Sequence, residues 1–176
     1  MKKALILQSW FSTPEDNWYP WLKAELEKRG YRVMVPKLPT MDTSSPDMEA
    51  MLTHINSLNF VTEETLVIGH SLGSVLALRL AERRKFGKGI LLAAWDFNDL
   101  TPEHQSFWQS LMDHTKIKEN VKEWVFLISD NDPYVTKFIA HEVAARVDGK
   151  AVDVGSRGHF GKDENTKEVP EILEWV

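Results

Sequence analysis

The sequence predicts an α/β fold: a six-stranded parallel sheet between two layers of helices, a three-layer α/β/α sandwich formed as a single domain over residues 1–176. Short apolar runs alternate with helical segments along the whole chain. Those runs are near-continuous in Val, Ile and Leu, the pattern of strands covered on both faces rather than one. Composition agrees, with 43% hydrophobic and 27% charged residues and only nine glycines and eight prolines in 176. That balance excludes collagen-like, low-complexity and disordered chains, and a chain of this length buries a core without help from disulfides or a metal.

The strands are expected over residues 4–8, 31–35, 65–69, 89–93, 124–129 and 151–154. The first helix is marked by Trp21, Leu22 and Leu26 on one face and ends at Gly30, where a C-terminal glycine belongs. Ser45 followed by Pro46 has the form of a cap and a first-turn proline for the second helix. Further helices are expected over 72–84, 102–112, 137–147 and 169–176. The longest stretch between strands, 94–123, carries Trp95, Phe97, Phe107 and Trp108 and is the one place with room for a small lid.

Charge and cysteine usage narrow the chemistry. The formal charge is −5, and no run of like charges is longer than Arg83-Arg84-Lys85, so nucleic acid is not an expected partner. With no cysteine there is no disulfide framework, thiolate metal site or thiol nucleophile, and no cofactor is implied. After Met1-Lys2-Lys3 comes only the apolar run 4–7, too short for a signal-peptide core or a membrane span; a soluble, cytoplasmic protein is the expectation.

The segment Thr65-Leu66-Val67-Ile68-Gly69-His70-Ser71-Leu72-Gly73 places a G-x-S-x-G pentapeptide between a buried strand and an amphipathic helix. Each position has a physical reason. A serine at the carboxyl end of a strand is presented by a strained turn, which needs glycine-sized neighbours two residues away on each side. The helix that follows points its N-terminus at the site, so the Leu72 amide can donate to a developing oxyanion. Ser71 is therefore the candidate nucleophile of a hydrolase, and such enzymes supply an acid and then a histidine later in the chain, each just past a strand.

Both loops are present: Ser129-Asp130-Asn131-Asp132-Pro133-Tyr134-Val135 after the fifth strand and Gly155-Ser156-Arg157-Gly158-His159-Phe160-Gly161 after the sixth. His159 is the expected general base. His54, His104, His114 and His141 fall on helical or linking surfaces and are expected to be solvated, while His70 is expected to pack beneath the turn and hydrogen-bond there. For the acid, Asp132 is favoured by its place at the mouth of the loop. Asp130, better suited to accepting turn amides, and Asp96 after the fourth strand are the alternatives.

Taken together, Pro14-Glu15-Asp16-Asn17-Trp18-Tyr19-Pro20-Trp21-Leu22, the pentapeptide, Asn131-Asp132-Pro133 and Gly158-His159-Phe160 resemble the retinoblastoma-binding-protein-type (YdeN-like) serine hydrolases over nearly the whole chain. The resemblance implies a minimal α/β-hydrolase fold with strand order 2-1-3-4-5-6 and puts nucleophile, acid and base on Ser71, Asp132 and His159. Where the family has His-Gly after the first strand this chain has Gln8-Ser9, and by position the second oxyanion donor is the Trp10 amide. A serine there is disfavoured if φ must be positive, which would misplace that amide and slow the enzyme. The Leu-x-Cys-x-Glu segment of the animal relative cannot occur in a chain without cysteine, so no retinoblastoma-type partner is expected.

The leading function is cleavage of a small ester or amide through an acyl-enzyme on Ser71, with Trp10, Phe11, Trp18 and Trp95 in loops beside the expected mouth as candidates for an apolar acyl pocket. The alternative from another class is a catalytically weak interaction module on the same scaffold, favoured by Ser9. A metal-dependent hydrolase lacks the paired-histidine spacing it needs.

Overall fold

A computed structural model describes all 176 residues. The strands are β1 (Lys3–Leu7), β2 (Arg32–Met34), β3 (Leu66–His70), β4 (Lys88–Leu92), β5 (Glu123–Ile128) and β6 (Lys150–Asp153). They form one sheet in the order β2-β1-β3-β4-β5-β6, every neighbouring pair parallel. The helices are α1 (Tyr19–Lys28), α2 (Met48–Ser57), α3 (Leu72–Ala81), α4 (His114–Asn120) and α5 (Lys137–Arg146). Right-handed crossovers and the reversal of direction after β2 put α1 on one face of the sheet and α2 to α5 on the other. No helix is long and apolar enough to cross a membrane.

The core follows the pattern in the strands. Residues 4–7 of β1 and all of β3 are buried, as expected for central strands covered on both sides. Helix α3 is buried along its entire length, including Arg79, which is 1% exposed. Such a charge is tolerated only when its donors are met. Arg79 makes two 3.0 Å bonds to Glu82 and donates to the carbonyls of Phe107 and Ser110.

That arginine explains one departure from expectation. Instead of a helix over 102–112 there is a 3₁₀ turn, Pro102–Trp108, because carbonyls that would continue a helix are turned onto the Arg79 guanidinium. A second 3₁₀ turn, Pro170–Trp175, stands where a C-terminal helix is expected; its first turn closes on the i→i+3 bond from the Ile172 amide to the Val169 carbonyl. The second helix is capped by Asp47, whose carboxylate accepts from the Ala50 amide at 3.0 Å, and not by Ser45. Helix α4, capped by Asp113, lies unforeseen inside the 94–123 stretch.

The chain leaves β1 and β3 in opposite directions. The carboxyl ends of these adjacent strands therefore border a crevice at the switch point of the sheet, where ligands bind in open α/β folds. Gly73 brings the two sides together: a Cβ there would collide with the carbonyl oxygens of Leu7 and Gln8, so only glycine lets α3 pack against the end of β1.

Candidate active site

Ser71 follows β3 with φ 55° and ψ −121°, a conformation that costs a non-glycine residue about 1–3 kcal/mol. The strain is held by its neighbours. The Ser71 amide donates to the Leu92 carbonyl, and a Cβ on Gly69 would lie 2.7 Å from the Gly73 carbonyl oxygen. The hydroxyl consequently stands clear of the strand, at the first turn of a buried helix whose dipole favours negative charge there.

His159 Nε2 lies 2.7 Å from Ser71 Oγ, and His159 Nδ1 lies 2.9 Å from both carboxylate oxygens of Asp132. Since a carboxylate can only accept, Nδ1 carries the ring proton and Nε2 presents its lone pair to the serine hydroxyl. Asp132 is fixed in turn: its side chain is 2% exposed and Oδ1 accepts from the amides of Tyr134 and Val135. The arrangement can take the Ser71 proton onto an imidazole whose positive charge is met by a buried carboxylate.

The other two acids are committed elsewhere. Asp130 accepts from Lys137 Nζ at 2.8 Å on the surface, rather than from turn amides as its sequence position suggests. Asp96 is buried and held by Arg146 at 2.7 and 2.9 Å and by His114 at 2.7 Å. His114 is therefore a half-buried hydrogen-bond partner of Asp96 rather than a solvated surface residue. His104 also departs from expectation: it is buried against Trp10 and Trp95, with Nδ1 3.1 Å from Asp99.

The loop carrying His159 is tied by residues that sequence reasoning passed over. Asn131 Oδ1 accepts from the Gly158 amide at 2.7 Å and from the Ser129 hydroxyl at 3.0 Å, while Ser129 Oγ accepts from the Arg157 amide. Their position beside Asp132 in the chain was the available signal. Gly158 has φ 55° and leaves no room for a Cβ against the Glu164 side chain.

A cavity of about 560 Å³ opens beside Ser71. Trp10, Phe11, Trp95, Phe97, Val135 and Ile139 form its apolar wall, so three of the four expected aromatic residues line it and the 94–123 stretch contributes Trp95, Phe97 and the His104 ring. Trp18 does not belong to it. Its side chain has no exposed surface and its indole N–H donates to the Phe160 carbonyl at 3.0 Å, because the start of α1 turns it inward under the histidine loop.

The turn after β1 also differs from expectation. Positive φ falls on Phe11, at 54°, and not on Ser9, so the steric penalty expected there does not arise. With it goes the feature that favoured a weakly active interaction module. The Ser9 amide is taken by the Tyr19 hydroxyl at 2.9 Å, whereas the Trp10 amide has no backbone acceptor. The Leu72 amide stands in the first turn of α3, where no intrahelical acceptor exists.

A strained serine between a central parallel strand and a buried helix, facing an imidazole held by a carboxylate from the next loops, defines the serine hydrolases of the α/β-hydrolase fold. The serine hydrolase family model matches residues 4–176, and the chain belongs to that family. It is 27% identical to YdeN of Bacillus subtilis (strain 168) over 180 residues, covering 98% of this chain and 93% of that one. Serine hydrolase RBBP9 of Rattus norvegicus is 29% identical over 150 residues, with 84% and 80% covered. The crystal structure of the B. subtilis ydeN gene product superposes with a TM-score of 0.90 at 26% identity, over 99% of this chain and 96% of that one. The chain is thus a hydrolase by family and by fold.

Proposed function

We propose that the protein cleaves small esters or amides through an acyl-enzyme formed on Ser71. The observation that carries this reading is the continuous hydrogen-bond path from Ser71 Oγ to His159 Nε2 and from His159 Nδ1 to Asp132. As Oγ bonds to the substrate carbonyl carbon, its proton passes to His159 Nε2, and the carbonyl electrons move onto oxygen. The Leu72 and Trp10 amides are the donors assigned to that oxyanion; one such donor is worth roughly 10²–10³ in turnover. When the tetrahedral intermediate collapses, His159 returns the proton to the leaving group. Water then repeats the sequence against the acyl-enzyme, releasing acid and restoring Ser71. Trp10, Phe11 and Trp95 form the apolar wall that receives the acyl group, which favours small uncharged acyl chains.

The experiment is rapid mixing with p-nitrophenyl butyrate. An acyl-enzyme whose breakdown is the slower step gives an initial burst of p-nitrophenol stoichiometric with protein. A protein that is folded yet shows neither burst nor steady turnover on short-chain esters and amides contradicts the proposal.

A further inference from the structure

Every proton around His70 is fixed by its neighbours. The side chain has no exposed surface; Nε2 lies 2.8 Å from the His159 carbonyl oxygen and Nδ1 lies 2.7 Å from the Tyr19 hydroxyl. A carbonyl only accepts, so Nε2 carries the ring proton and donates it. A neutral ring then has a bare lone pair at Nδ1, and the Tyr19 hydroxyl must donate to it. Ser9 Oγ, 3.1 Å from the same hydroxyl, is a longer alternative acceptor. It also has Ser12 within reach, whereas the buried Nδ1 has no other donor. With its proton committed to His70, the Tyr19 oxygen accepts from the Ser9 amide at 2.9 Å and from Asn17 Nδ2 at 3.1 Å.

The direction of the chain is therefore set from both ends, by an amide that can only donate and a carbonyl that can only accept. It starts in the turn that carries Trp10 and ends on the backbone of the residue that faces Ser71. Two other bridges cross between these segments, the Trp18 indole to the Phe160 carbonyl and Lys162 to Asp16, but neither touches the Ser9–Trp10 turn or the His159 carbonyl. Phe11 is tied to Met41 and Gly158 to Asn131, each on its own side. We propose that Tyr19 and His70 are positioning residues for the hydrolysis. Their hydrogen-bond chain from the Ser9 amide to the His159 carbonyl sets the oxyanion turn and the base in register across the nucleophile.

The proposal rests on the roles assigned to Ser71 and His159 above. A second consequence follows from the same geometry. The rings of His70 and His159 are 5.7 Å apart, so a charge on His70 would oppose the imidazolium that His159 becomes. Burial, foremost, and the neighbouring His159 push His70 down to about 3, which keeps it neutral near neutral pH.

Tyr19→Phe removes the hydroxyl and keeps the ring, so it is the direct test. Misplacing reacting groups by an ångström can cost about 10²-fold, and kcat for p-nitrophenyl butyrate is expected to fall on the order of 10- to 100-fold with KM within about twofold. His70→Gln supplies one donor and one acceptor and cannot be charged; it is expected to retain far more turnover than His70→Leu. Long-range ¹H–¹⁵N NMR of the wild type should show His70 protonated at Nε2 only and not titrating between about pH 5 and 8, with its Nδ1 resonance displaced in Tyr19→Phe. A merely structural role would lower thermal stability in Tyr19→Phe and leave kcat per folded molecule unchanged, which overturns the proposal. Equal losses in His70→Gln and His70→Leu, or a proton found on Nδ1, overturn it as well. A wild type without turnover instead overturns the assigned roles of Ser71 and His159, a failure the NMR result separates from a wrong proton order.

Discussion

Ser71→Ala and His159→Ala are each expected to lower ester turnover on the order of 10⁶-fold, and the double variant is expected to be scarcely worse than either. The reason is the 2.7 Å contact between Oγ and Nε2. A serine hydroxyl is a weak nucleophile without a base to take its proton, and the imidazole has no proton to move without the serine, so the two fail as a unit. Both proteins should fold. Alanine at position 71 carries the same positive-φ strain as serine, and the Ser71 amide keeps its bond to the Leu92 carbonyl. Thermal melting of the variants alongside ester assays checks this. Independent, multiplicative losses would contradict the paired roles.

Asp132→Asn is expected to reduce turnover about 10⁴-fold, whereas Asp130→Asn should leave it within a few-fold. An asparagine at 132 can still accept from the Tyr134 and Val135 amides through Oδ1, so the loop should hold. Oδ1 is then committed to those two amides, and the amide nitrogen that replaces Oδ2, 2.9 Å from His159 Nδ1, can only donate to it. The ring then favours the tautomer with its proton on Nε2, which has no lone pair left for Ser71. Asp130 loses only a surface contact with Lys137, whose other partner, Asp153, remains at 3.0 Å. Steady-state kinetics on both variants decide between the carboxylates; the greater loss in Asp130→Asn would move the acid to that residue.

The parts of this molecule legible in its sequence are those specified locally. The β3 strand, the Ser71 turn and α3 form one largely apolar stretch in which two glycines flank the serine, and each glycine is required by a close backbone approach within the turn or across to β1. His159 was legible because it is the histidine in the loop after the last strand. What the sequence hid is set by distant partners. The 3₁₀ turn at Pro102–Trp108 depends on the buried Arg79, more than twenty residues away in the chain. Trp18 belongs to the core rather than the cavity because the loop it supports is formed by residues near 160. Asp132 was favoured over Asp130 from its place in the loop, but the partner that occupies Asp130, Lys137 of α5, was not legible there. At Ser9 the position of positive φ in a turn depends on its whole path, which carried the strain to Phe11 instead.

Ser71 Oγ is the atom proposed to become acylated, and reaction with a fluorophosphonate followed by peptide mapping measures its nucleophilicity directly. The predicted result is a single adduct, on the peptide containing Gly69 to Gly73, absent from Ser71→Ala and formed far more slowly in His159→Ala. Labelling that persists in Ser71→Ala, or a folded wild type that does not label at all, would contradict it.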